Sequence, residues 1–582
     1  MAISSIPARL FGQAETRPNA PAYYVRGPKD WEPSSWATYA ANVRQVGRAL
    51  LASGVESGNV ICILGNNRPE WCEMDVGAMA VGAIPAGIYQ TCSSEEIAYI
   101  LNHSEAPIIL VENKGQWEKV NAVRSELSHL KKIVLMNGCE SVDDESAIDW
   151  ADFLKSGDAT DVKAVDDAVK NLDPDAPATF IYTSGTTGPP KAVMLTHDNL
   201  AWTADAAIKI VGHTHTDKSL SYLPLSHIAE QMFTLHAPIT SGGQVYFAES
   251  IDKMPDNLKE VQPTVFFGVP RVWEKFHAGI SDKLKLATGA KLKLVNFARR
   301  TGAEVAKRKC AGKPISGLLA IKYKLATKLI FSKLKPAIGM GNARICVSGA
   351  APISPEVLEF MASLDVVILE VYGQSEGSGP TTFNVPSKAR FGTVGGRLDG
   401  IEVKIADDGE ILARGRNIFK GYYKDEDATK AALDSDGWLY SGDLGSFDDD
   451  GFLTITGRKK DIIITAGGKN IAPKNIEAAL TEHEAVSQAV VIGDRRKFLS
   501  AVIALNPDKL AEAGGDPSSF EASVQEHVNA INERFARVEH VRKFSILPRE
   551  LDQDNGELTP TMKIKRRIVY ENWAEIIDGM YD

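Results

Sequence analysis

The sequence lacks the features of a disulfide-bonded, zinc-binding or membrane-spanning protein. Its 582 residues include only six cysteines and no C-x-x-C pair, which favours a reducing cytosol. No apolar run is long enough to cross a bilayer, since the longest, near 78–89, is interrupted by glycine and proline. The amino-terminal residues lack the layout of a signal peptide. We therefore expect a cytoplasmic protein, either soluble or peripheral to a membrane.

Charge is distributed unevenly along the chain. The formal net charge of −10 disfavours a general nucleic-acid-binding protein, because phosphate backbones attract cationic surfaces. The stretch Lys283–Lys335 runs against this balance, with fifteen Lys or Arg and one acid, Glu304. Leucine and isoleucine alternate with lysine there, which indicates either a solvated basic helix face or a surface that approaches anionic lipid at the inner face of a membrane.

The order of apolar runs predicts an α/β fold. Strand-like runs alternate with helix-like segments through the first two thirds of the chain, which favours parallel sheets covered by helices. From about Gly392, short alternating runs between Gly and Asp turns predict antiparallel hairpins or a small barrel. The strand-like runs of the first part include 60–64, 107–111, 132–135, 264–267 and 366–369.

A charged segment separates two apolar runs near residue 460 and predicts a hinge. We expect a large domain over 1–457, built from parallel-sheet α/β units and a small β-barrel-like unit. A linker over 458–461 would join it to a small, mobile α+β domain over 462–582. The sequence leaves open whether the protein is a monomer or a homodimer.

The most informative motif is Thr183–Lys191, T-S-G-T-T-G-P-P-K, which follows a strand-like apolar run. Gly185 and Gly188 let the backbone bend so that amide N–H groups point into one concavity, while hydroxyls and Lys191 add donors and positive charge. This set suits a polyphosphate, although its spacing differs from that of the Walker loop. A polar surface turn is the alternative interpretation.

Other polar clusters follow further strand-like runs, and each alone is a weak signal. The small residues of Ser348–Pro352 would let a flat ring lie against the backbone. The segment Val371–Gly377 offers an aromatic face and a carboxylate, and Tyr440–Asp443 places an acid in a tight turn. Near the carboxyl terminus, Leu558–Arg567 is a basic segment beside a turn.

Taken together and in this order, the motifs resemble those of the AMP-forming acyl-adenylate synthetases, the superfamily of acyl-CoA synthetases, luciferases and nonribosomal adenylation domains. The resemblance covers about residues 15–570. Within it, the chain looks most like a bacterial long-chain fatty acyl-CoA synthetase, on Phe267–Lys275, the basic helical insertion after it, and Thr559–Lys563. The resemblance implies ATP, Mg²⁺, coenzyme A and a fatty acid as reactants. It also implies an acyl-adenylate intermediate.

The resemblance assigns nucleotide-binding roles by motif. Glu376 would hold Mg²⁺ with Thr183, Asp443 would accept from the ribose hydroxyls, and Arg458 would assist there. Adenine would be bracketed by Gly349, Ala350 and Tyr372. Gly373 and Ser375 of the same segment would also belong to the ATP-binding residues. The β- and γ-phosphates would be held by Thr183, Ser184, Gly185, Thr186, Thr187, Gly188 and Lys191.

The remaining implied residues act on the acyl group and on coenzyme A. Lys563 would contact the carboxylate and the α-phosphate during adenylation, and His227 would lie on the acyl side. Lys460 would occupy the pivot of the hinge. The coenzyme A channel would be approached by Gly467, Gly468 and Lys469. Coenzyme A is polyanionic, so it is a further candidate ligand for the basic stretch.

Two further points concern specificity. Some long-chain relatives carry a tryptophan gate a few residues after the histidine, and the position that matches it most nearly in this chain is Gln231. The resemblance therefore defines the reaction type more closely than the length of the acyl chain. The alternatives are a fatty acyl-AMP ligase that serves a carrier protein and a catalytically inactive nucleotide-binding regulator. The short linker favours coenzyme A, and the presence of Lys191, Glu376 and Lys563 argues against an inactive protein.

Overall fold

A computed structural model describes residues 5–183, 189–466, 469–559 and 562–582. Residues 6–211 form α1 (Ile6–Thr16), β1 (Pro21–Arg26), β2 (Trp31–Ser35), α2 (Trp36–Ala52), β3 (Val60–Leu64), α3 (Pro69–Ala80), β4 (Ile84–Ile88), α4 (Ser94–Ser104), β5 (Ile108–Val111), α5 (Lys114–Ala122), β6 (Lys132–Leu135), β7 (Ala147–Asp149), α6 (Trp150–Ser156), α7 (Ala164–Lys170), β8 (Pro177–Thr183), β9 (Lys191–Thr196) and α8 (His197–Val211).

The middle of the chain, 218–383, contains β10 (Lys218–Ser221), α9 (Ile228–Gln231), α10 (Ala237–Ser241), β11 (Gln244–Phe247), α11 (Met254–Val261), β12 (Val265–Gly268), α12 (Pro270–Lys285), α13 (Gly289–Cys310), α14 (Gly317–Ala326), α15 (Ser332–Ala337), β13 (Ile345–Ser348), α16 (Pro355–Ser363), β14 (Ile368–Gln374) and β15 (Gly379–Phe383). Shorter turns of π-helix connect α9 to α10 (Met232–His236) and α14 to α15 (Thr327–Phe331).

Residues 396–582 contain β16 (Gly396–Arg397), β17 (Ile401–Ile405), β18 (Glu410–Gly415), β19 (Gly421–Tyr422), α17 (Glu426–Ala432), β20 (Leu439–Phe447), β21 (Leu453–Arg458), β22 (Ile463–Ile464), β23 (Asn470–Ile471), α18 (Pro473–Leu480), β24 (Val486–Ile492), β25 (Leu499–Leu505), α19 (Pro507–Glu512), α20 (Glu521–Asn532), β26 (Val541–Ile546), α21 (Arg566–Asn572) and α22 (Ala574–Gly579). The 3-10 helices are Arg124–Glu126, Ser375–Gly377, Lys459–Asp461, Pro517–Phe520 and Arg537–Glu539.

The largest sheet has eight strands in the order β19-β9-β8-β4-β3-β5-β6-β7. It is parallel from β8 to β7 and antiparallel at β9 and β19. Every residue of β3 is buried, because helices cover both faces of the sheet. Ile61 and Ile63 pack with α2 and α3, while Cys62 and Leu64 pack with α4 on the opposite face. The sheet therefore forms a three-layer core.

Two further mixed sheets complete the parallel part. One has the order β10-β11-β1-β2 and the other β12-β13-β14-β15-β16, with β12, β13 and β14 parallel. The strand β14 continues beyond its parallel neighbours and pairs antiparallel with β15. The carboxyl end of β13 consequently lies beside Glu370, within β14. Gly349 and Ala350, predicted to face adenine, follow β13, and Tyr372 lies in the extended part of β14.

The remaining sheets are small. Strands β17, β18, β20 and β21 form an antiparallel sheet in that order. After the 3-10 helix Lys459–Asp461, a β22–β23 hairpin and a mixed sheet of β24, β25 and β26 pack with α18 and α20 around a separate apolar cluster. The prediction of an α/β fold with parallel-sheet units, an antiparallel barrel-like unit and a small α+β unit is confirmed.

The basic stretch Lys283–Lys335 is helical, as the sequence indicates. It covers the end of α12, all of α13 and α14, and most of α15. Helix α14 packs along α13, and Ala298, Ala326 and Phe331 form a small apolar cluster between them. Within the described part of the chain, no helix combines the length and apolar composition needed to span a membrane.

A buried carboxyl group on β14 leads to a prediction about pH. Glu370 accepts a hydrogen bond from the backbone N–H of Gly392 at 3.1 Å, and burial raises its pKa from 4.5 to about 8. As pH rises from 4.5 to 8, the unfolded chain releases this proton while the folded chain keeps it, so this group makes the free energy of unfolding fall. Glu370→Gln should remove that slope and stabilise the protein by a few kcal/mol at pH 8.5, at about 1.4 kcal/mol per pKa unit.

Thermal or urea unfolding between pH 5 and 9 tests this expectation. The exposed Glu359→Gln is a matched control on the nearby helix α16, and it should leave the pH profile unchanged. Parallel pH profiles for wild type and Glu370→Gln would contradict the assignment of a neutral carboxyl group at this position.

Candidate active site

One wall of the candidate site is the hairpin of β8 and β9. Thr183 ends β8 and lies opposite Lys191, which begins β9, and the Thr183 hydroxyl donates to the Lys191 carbonyl at 3.4 Å. The predicted phosphate-loop residues Ser184, Gly185, Thr186, Thr187 and Gly188 lie outside the described residues. The two strand ends thus fix where the loop leaves and rejoins the sheet.

Lys191 contacts Tyr422, the last residue of β19, and Asp425, which follows that strand. Its ammonium group lies 3.0 Å from Asp425 Oδ2 and 5.1 Å from the centroid of the Tyr422 ring. The lysine side chain is still 43% exposed, so its charge remains accessible from solvent. A cation in this position can meet an anionic ligand held by the loop.

Tyr422 connects Lys191 to Glu376. Strand β19 pairs with β9, which places Tyr422 opposite Val193, and the Tyr422 hydroxyl donates to Glu376 Oε1 at 2.8 Å. Burial and the negative charge of Glu376 raise the pKa of Tyr422, so the hydroxyl stays protonated. The sequence interpretation missed this tyrosine, because its two contacts lie far away along the chain. The Gly421-Tyr422 pair beside Lys191 becomes visible only once β19 is seen to pair with β9.

If the site binds ATP and Mg²⁺ as the motif resemblance implies, removal of the Tyr422 hydroxyl should impair their use. A hydrogen bond to a carboxylate contributes about 1.5–3 kcal/mol, so Tyr422→Phe should lower kcat/KM for ATP by about tenfold or more. Fatty-acid-dependent ATP–pyrophosphate exchange measures this. The adjacent Tyr423→Phe is the matched control, since Tyr423 packs in the apolar core around Phe180. Equal losses in the two variants would contradict a role for the Glu376 contact.

The second wall is built from the ends of β13 and β14. Gly349 and Ala350 follow β13, and Ala350 has a left-handed backbone with φ of 68°. A side chain at Gly373 would place Cβ 1.7 Å from the carbonyl oxygen of Gly379, so the close β14–β15 approach requires glycine there. This packing fixes the neighbouring Tyr372. Ser375 is buried at the start of the 3-10 turn that presents Glu376.

Tyr372, Asp443 and Arg458 form a connected polar group. Arg458 lies opposite Asp443 across the β20–β21 pair, and its Nε donates to Asp443 Oδ1 at 3.0 Å. The Tyr372 hydroxyl donates to Asp443 Oδ2 at 2.9 Å. Both carboxylate oxygens therefore have a fixed partner, which orients the carboxylate beside the predicted adenine-binding face. The structure thus brings together three residues that the sequence treats as separate motifs.

Lys563 reaches this group from the carboxyl-terminal part of the chain. Its turn is closed by two hydrogen bonds with Thr559, one between backbone atoms at 2.8 Å and one from the Lys563 N–H to the Thr559 hydroxyl at 3.0 Å. The side chain is solvent-accessible within a crowded cleft. Desolvation lowers the pKa of Lys563 most, and the positive charge of Arg458 lowers it further, while the charges of Asp443 and Glu376 act in the opposite direction.

The Lys563 ammonium group lies among charged side chains. It lies close enough to Asp443, Arg458 and Glu376 for their charges to alter its proton affinity. Lys474, near the start of α18, is a second cation in range. Lys563, Arg458 and Lys474 are cations that repel one another. A bound polyanion would reduce this repulsion, so the site suits a polyanionic ligand.

His227 lies near enough to Lys563 for the lysine charge to act on its ring. Its Nδ1 accepts the backbone N–H of Ala229 at 3.1 Å, and this fixes the neutral tautomer with the proton on Nε2. Burial lowers the pKa of His227 to about 4, and the positive charge of Lys563 contributes to that shift. At neutral pH the ring is therefore an uncharged hydrogen-bond donor. Lys563 and His227 are in electrostatic range of each other.

Gln231, the residue compared with a tryptophan gate, is fully buried on α9. Its side-chain amide donates to the carbonyl of Leu225 at 3.0 Å. No described residue satisfies its Oε1 atom. This hydrogen bond connects α9 to the loop that carries His227. A buried polar contact therefore stands at the position compared with a tryptophan gate.

Two of the residues predicted for the hinge and the coenzyme A channel are described by the structure. Lys460 and Lys469 are both exposed, and Lys469 lies in the β22–β23 hairpin. Gly467 and Gly468 lie outside the described residues. The sequence interpretation missed the neighbouring Lys459, whose ammonium group contacts Asp408 at 2.6 Å and Glu410 at 2.9 Å.

The match to known families covers nearly the whole chain. Residues 10–423 match the family described as AMP-binding enzyme, and residues 460–582 match the AMP-binding enzyme C-terminal domain. The chain belongs to the AMP-binding enzyme family. The resemblance inferred from the motifs of the sequence is thereby confirmed.

Full-length relatives agree with this family membership. The long-chain-fatty-acid–CoA ligase ACSBG2 of Xenopus laevis is 38% identical over 95% of this chain and 80% of its own length. The long-chain-fatty-acid–CoA ligase FadD15 of Mycobacterium bovis is 34% identical over 99% of this chain and 97% of its own length.

Solved structures share the fold at lower identity. The anthranilate CoA ligase AuaEII, in complex with anthranoyl-AMP, superposes with a TM-score of 0.73 at 20% identity, covering 98% of each chain. ATP-bound MatB from Rhodopseudomonas palustris gives a TM-score of 0.71 at 21% identity, with 98% of this chain and 99% of that one covered. These similarities confirm the fold, and the roles of individual residues in this chain stay predictions.

Proposed function

We propose that this enzyme is an AMP-forming long-chain fatty acid–CoA ligase. The observation that carries the proposal is the position of Lys563, which reaches the cleft of Glu376, Asp443 and His227 from the far end of the chain. The relatives named as long-chain-fatty-acid–CoA ligases, 32–38% identical, support the choice of substrate. The overall reaction converts ATP, a fatty acid and coenzyme A into acyl-CoA, AMP and pyrophosphate.

The first half-reaction joins the fatty acid to AMP. A carboxylate oxygen of the fatty acid attacks the α-phosphorus, a new P–O bond forms, and the bond to the β-phosphate oxygen breaks to release pyrophosphate. The Lys563 ammonium group stabilises the negative charge shared by the carboxylate and the α-phosphate. Lys191 holds the β- and γ-phosphates beside Thr183, and the neutral His227 donates from Nε2 on the acyl side.

The nucleotide is positioned by the second wall of the cleft. Adenine lies against Gly349, Ala350 and Tyr372, and Asp443 accepts from the ribose hydroxyls. Arg458 supports Asp443 from the opposite strand, at 3.0 Å. Since Asp443 is already oriented by two donors, the ribose meets a pre-positioned carboxylate, which reduces the entropy lost on binding.

The oxygen donors near the phosphate loop fit Mg²⁺. Within the described ranges, Glu376 Oε2 accepts no hydrogen bond, whereas Oε1 is held by Tyr422 at 2.8 Å. The Thr183 hydroxyl donates to a carbonyl, so its lone pairs remain available. Carboxylate and hydroxyl oxygens are ligands that Mg²⁺ accepts together with substrate phosphates. When bound, the ion would neutralise phosphate charge.

The second half-reaction requires a different arrangement of the chain. The thiol sulfur of coenzyme A attacks the acyl carbon, the thiol proton is lost, and AMP leaves with the electrons of the cleaved C–O bond. We propose that residues 462–582 reorient relative to 1–457 by rotation within 458–461, with Lys460 at the pivot. Gly467, Gly468 and Lys469 then approach the coenzyme A channel. Reorientation of this kind separates two reactions that share one cleft.

An AMP-release assay across C2 to C24 acids, with and without coenzyme A, tests the proposal. We expect turnover that depends on long-chain acids and coenzyme A, with the acyl-CoA product identified by mass. An enzyme that forms one equivalent of acyl-adenylate, makes no acyl-CoA with coenzyme A and passes the acyl group to a carrier protein would be a fatty acyl-AMP ligase. Absence of acid-dependent pyrophosphate exchange would indicate a nucleotide-binding regulator. The proposed location is the cytoplasm.

A further inference from the structure

A stripe of large apolar side chains is exposed on α14 and the π-helical turn after it. Leu318, Ile321 and Leu325, spaced at i, i+3 and i+7, are 67%, 66% and 47% exposed. Leu329, in the π-helical turn, is 39% exposed. Residues at this spacing share one face of a helix. We name these four side chains the α14 stripe.

Folding of the helix does not require the α14 stripe. The opposite face carries Leu319 and Ala326, both buried, and Tyr323 packs with Ala326 against Ala298 of α13. The stripe therefore exposes apolar surface to water. Its transfer into an apolar environment would be favourable by about 25 cal/mol per Å² of surface buried.

The lysines beside the stripe are not neutralised by neighbouring acids. Lys322, Lys324 and Lys328 are all exposed, and no salt bridge to any of them forms among the described residues. Elsewhere in the basic stretch, Lys309 and Lys335 are both paired with Asp365. The ammonium groups around the stripe are thus available to external anions.

We infer that the α14 stripe and its three flanking lysines dock on the surface of an anionic lipid bilayer. The helix would lie in the plane of the interface, with the leucines entering the acyl boundary and the lysines contacting lipid phosphates. Two further leucines of the basic stretch are exposed, Leu286 just after α12 at 80% and Leu292 in the first turn of α13 at 41%.

A lipid surface fits better than a second copy of this chain. A two-fold dimer brings the same patch of both subunits together, and here that would oppose one lysine-rich surface to another. The basic stretch has fifteen cations and one acid within a chain of net charge −10, so the contrast with the rest of the molecule also orients this face toward a negative surface. The inference stands on these surface residues and is independent of the proposed function.

Vesicle flotation with the full-length chain tests the apolar part. Phosphatidylcholine vesicles with 30% phosphatidylglycerol are compared with phosphatidylcholine alone, and we expect binding to the anionic vesicles only. Ile321→Gln with Leu325→Gln should lower the partition coefficient by about tenfold, because two exposed apolar side chains are lost. The matched control is Val162→Gln with Ile251→Gln, since these side chains are 64% and 60% exposed elsewhere. The control should bind within twofold of wild type.

A second variant tests the charge. Lys322→Gln, Lys324→Gln and Lys328→Gln together should reduce binding by about 100-fold, because each lysine near the surface adds to the attraction to anionic lipid. A concentration of 0.5 M NaCl should also weaken wild-type binding, because salt screens this attraction. The control removes three exposed lysines that lie outside the stretch, Lys131, Lys163 and Lys497.

Circular dichroism melting and light scattering without vesicles accompany both sets. Unchanged melting shows that the variants fold. Failure of wild type to bind anionic vesicles, binding that ignores salt, or variants that bind as wild type would each overturn the inference. A concentration-dependent dimer that the stripe variants abolish, without vesicle binding by wild type, would assign the face to self-association and would also overturn it.

Discussion

Lys563→Ala is expected to lower fatty-acid-dependent ATP–pyrophosphate exchange by about 100- to 1000-fold, the loss typical when one group that stabilises developing charge is removed. The side chain lies in electrostatic range of Glu376, Asp443 and His227, where negative charge would develop during adenylation. The measurement is exchange of labelled pyrophosphate into ATP with a saturating long-chain acid.

The second half-reaction separates a catalytic role from a structural one. Lys563→Ala should retain most of its rate of thioester formation from preformed acyl-AMP and coenzyme A, because the lysine is assigned to adenylation only. Lys565→Ala is the matched control two residues away, where the backbone N–H donates to the carbonyl of Glu557 at 2.7 Å. That variant should keep both rates. Equal loss of both rates in Lys563→Ala would contradict the division of roles.

Glu376→Gln should have the second-largest effect, a fall of about 100-fold in pyrophosphate exchange with a higher Mg²⁺ requirement. The substitution keeps the shape of the side chain and an acceptor for the Tyr422 hydroxyl, now 2.8 Å from Oε1, but removes the negative charge. A neutral amide is a much poorer ligand for Mg²⁺ than a carboxylate.

The Mg²⁺ titration distinguishes this loss from misfolding. The concentration of Mg²⁺ that gives half-maximal exchange should rise by about tenfold in Glu376→Gln and stay unchanged in Glu359→Gln, an exposed carboxylate on α16. Binding of ATP without Mg²⁺ should be similar in both variants. An unchanged Mg²⁺ requirement in Glu376→Gln would remove this carboxylate from the proposed ion site.

The sequence predicts the parts of the site that lie in short, ordered motifs. Thr183, Lys191, Tyr372, Asp443 and Lys563 each follow a recognisable strand or turn, and the structure places the described ones around one cleft. Their mutual contacts are invisible in the sequence because each depends on strand pairing between distant segments. The fold class was predictable for the same reason as the motifs, since alternation of apolar runs is a local signal.

The residues missed by the sequence interpretation share a physical cause. Tyr422 meets Glu376 only because β19 adds to the edge of β9, and Lys459 meets Asp408 and Glu410 across the antiparallel sheet before the hinge. Two-residue strands and single ion pairs leave no periodic pattern to recognise.

The basic stretch shows a related limit. Alternation of leucine with lysine predicts helices with a charged face, and the structure contains them. The adjacent residues Leu318 and Leu319 differ completely, since the first is 67% exposed and the second 7%. Which of two neighbouring leucines faces α13 depends on how the helices pack.

The pair formed by Asp443 and Arg458 has a consequence for the order of events. Arg458 is the last residue of β21, and the 3-10 helix that begins at Lys459 follows it directly. A rotation that starts after this residue keeps Asp443, Arg458 and Tyr372 together while it carries Lys563 out of the cleft. The nucleotide would thus keep its contacts with these residues throughout the cycle. The AMP part of the acyl-adenylate would hold the activated acyl group in place while the thiol of coenzyme A approaches.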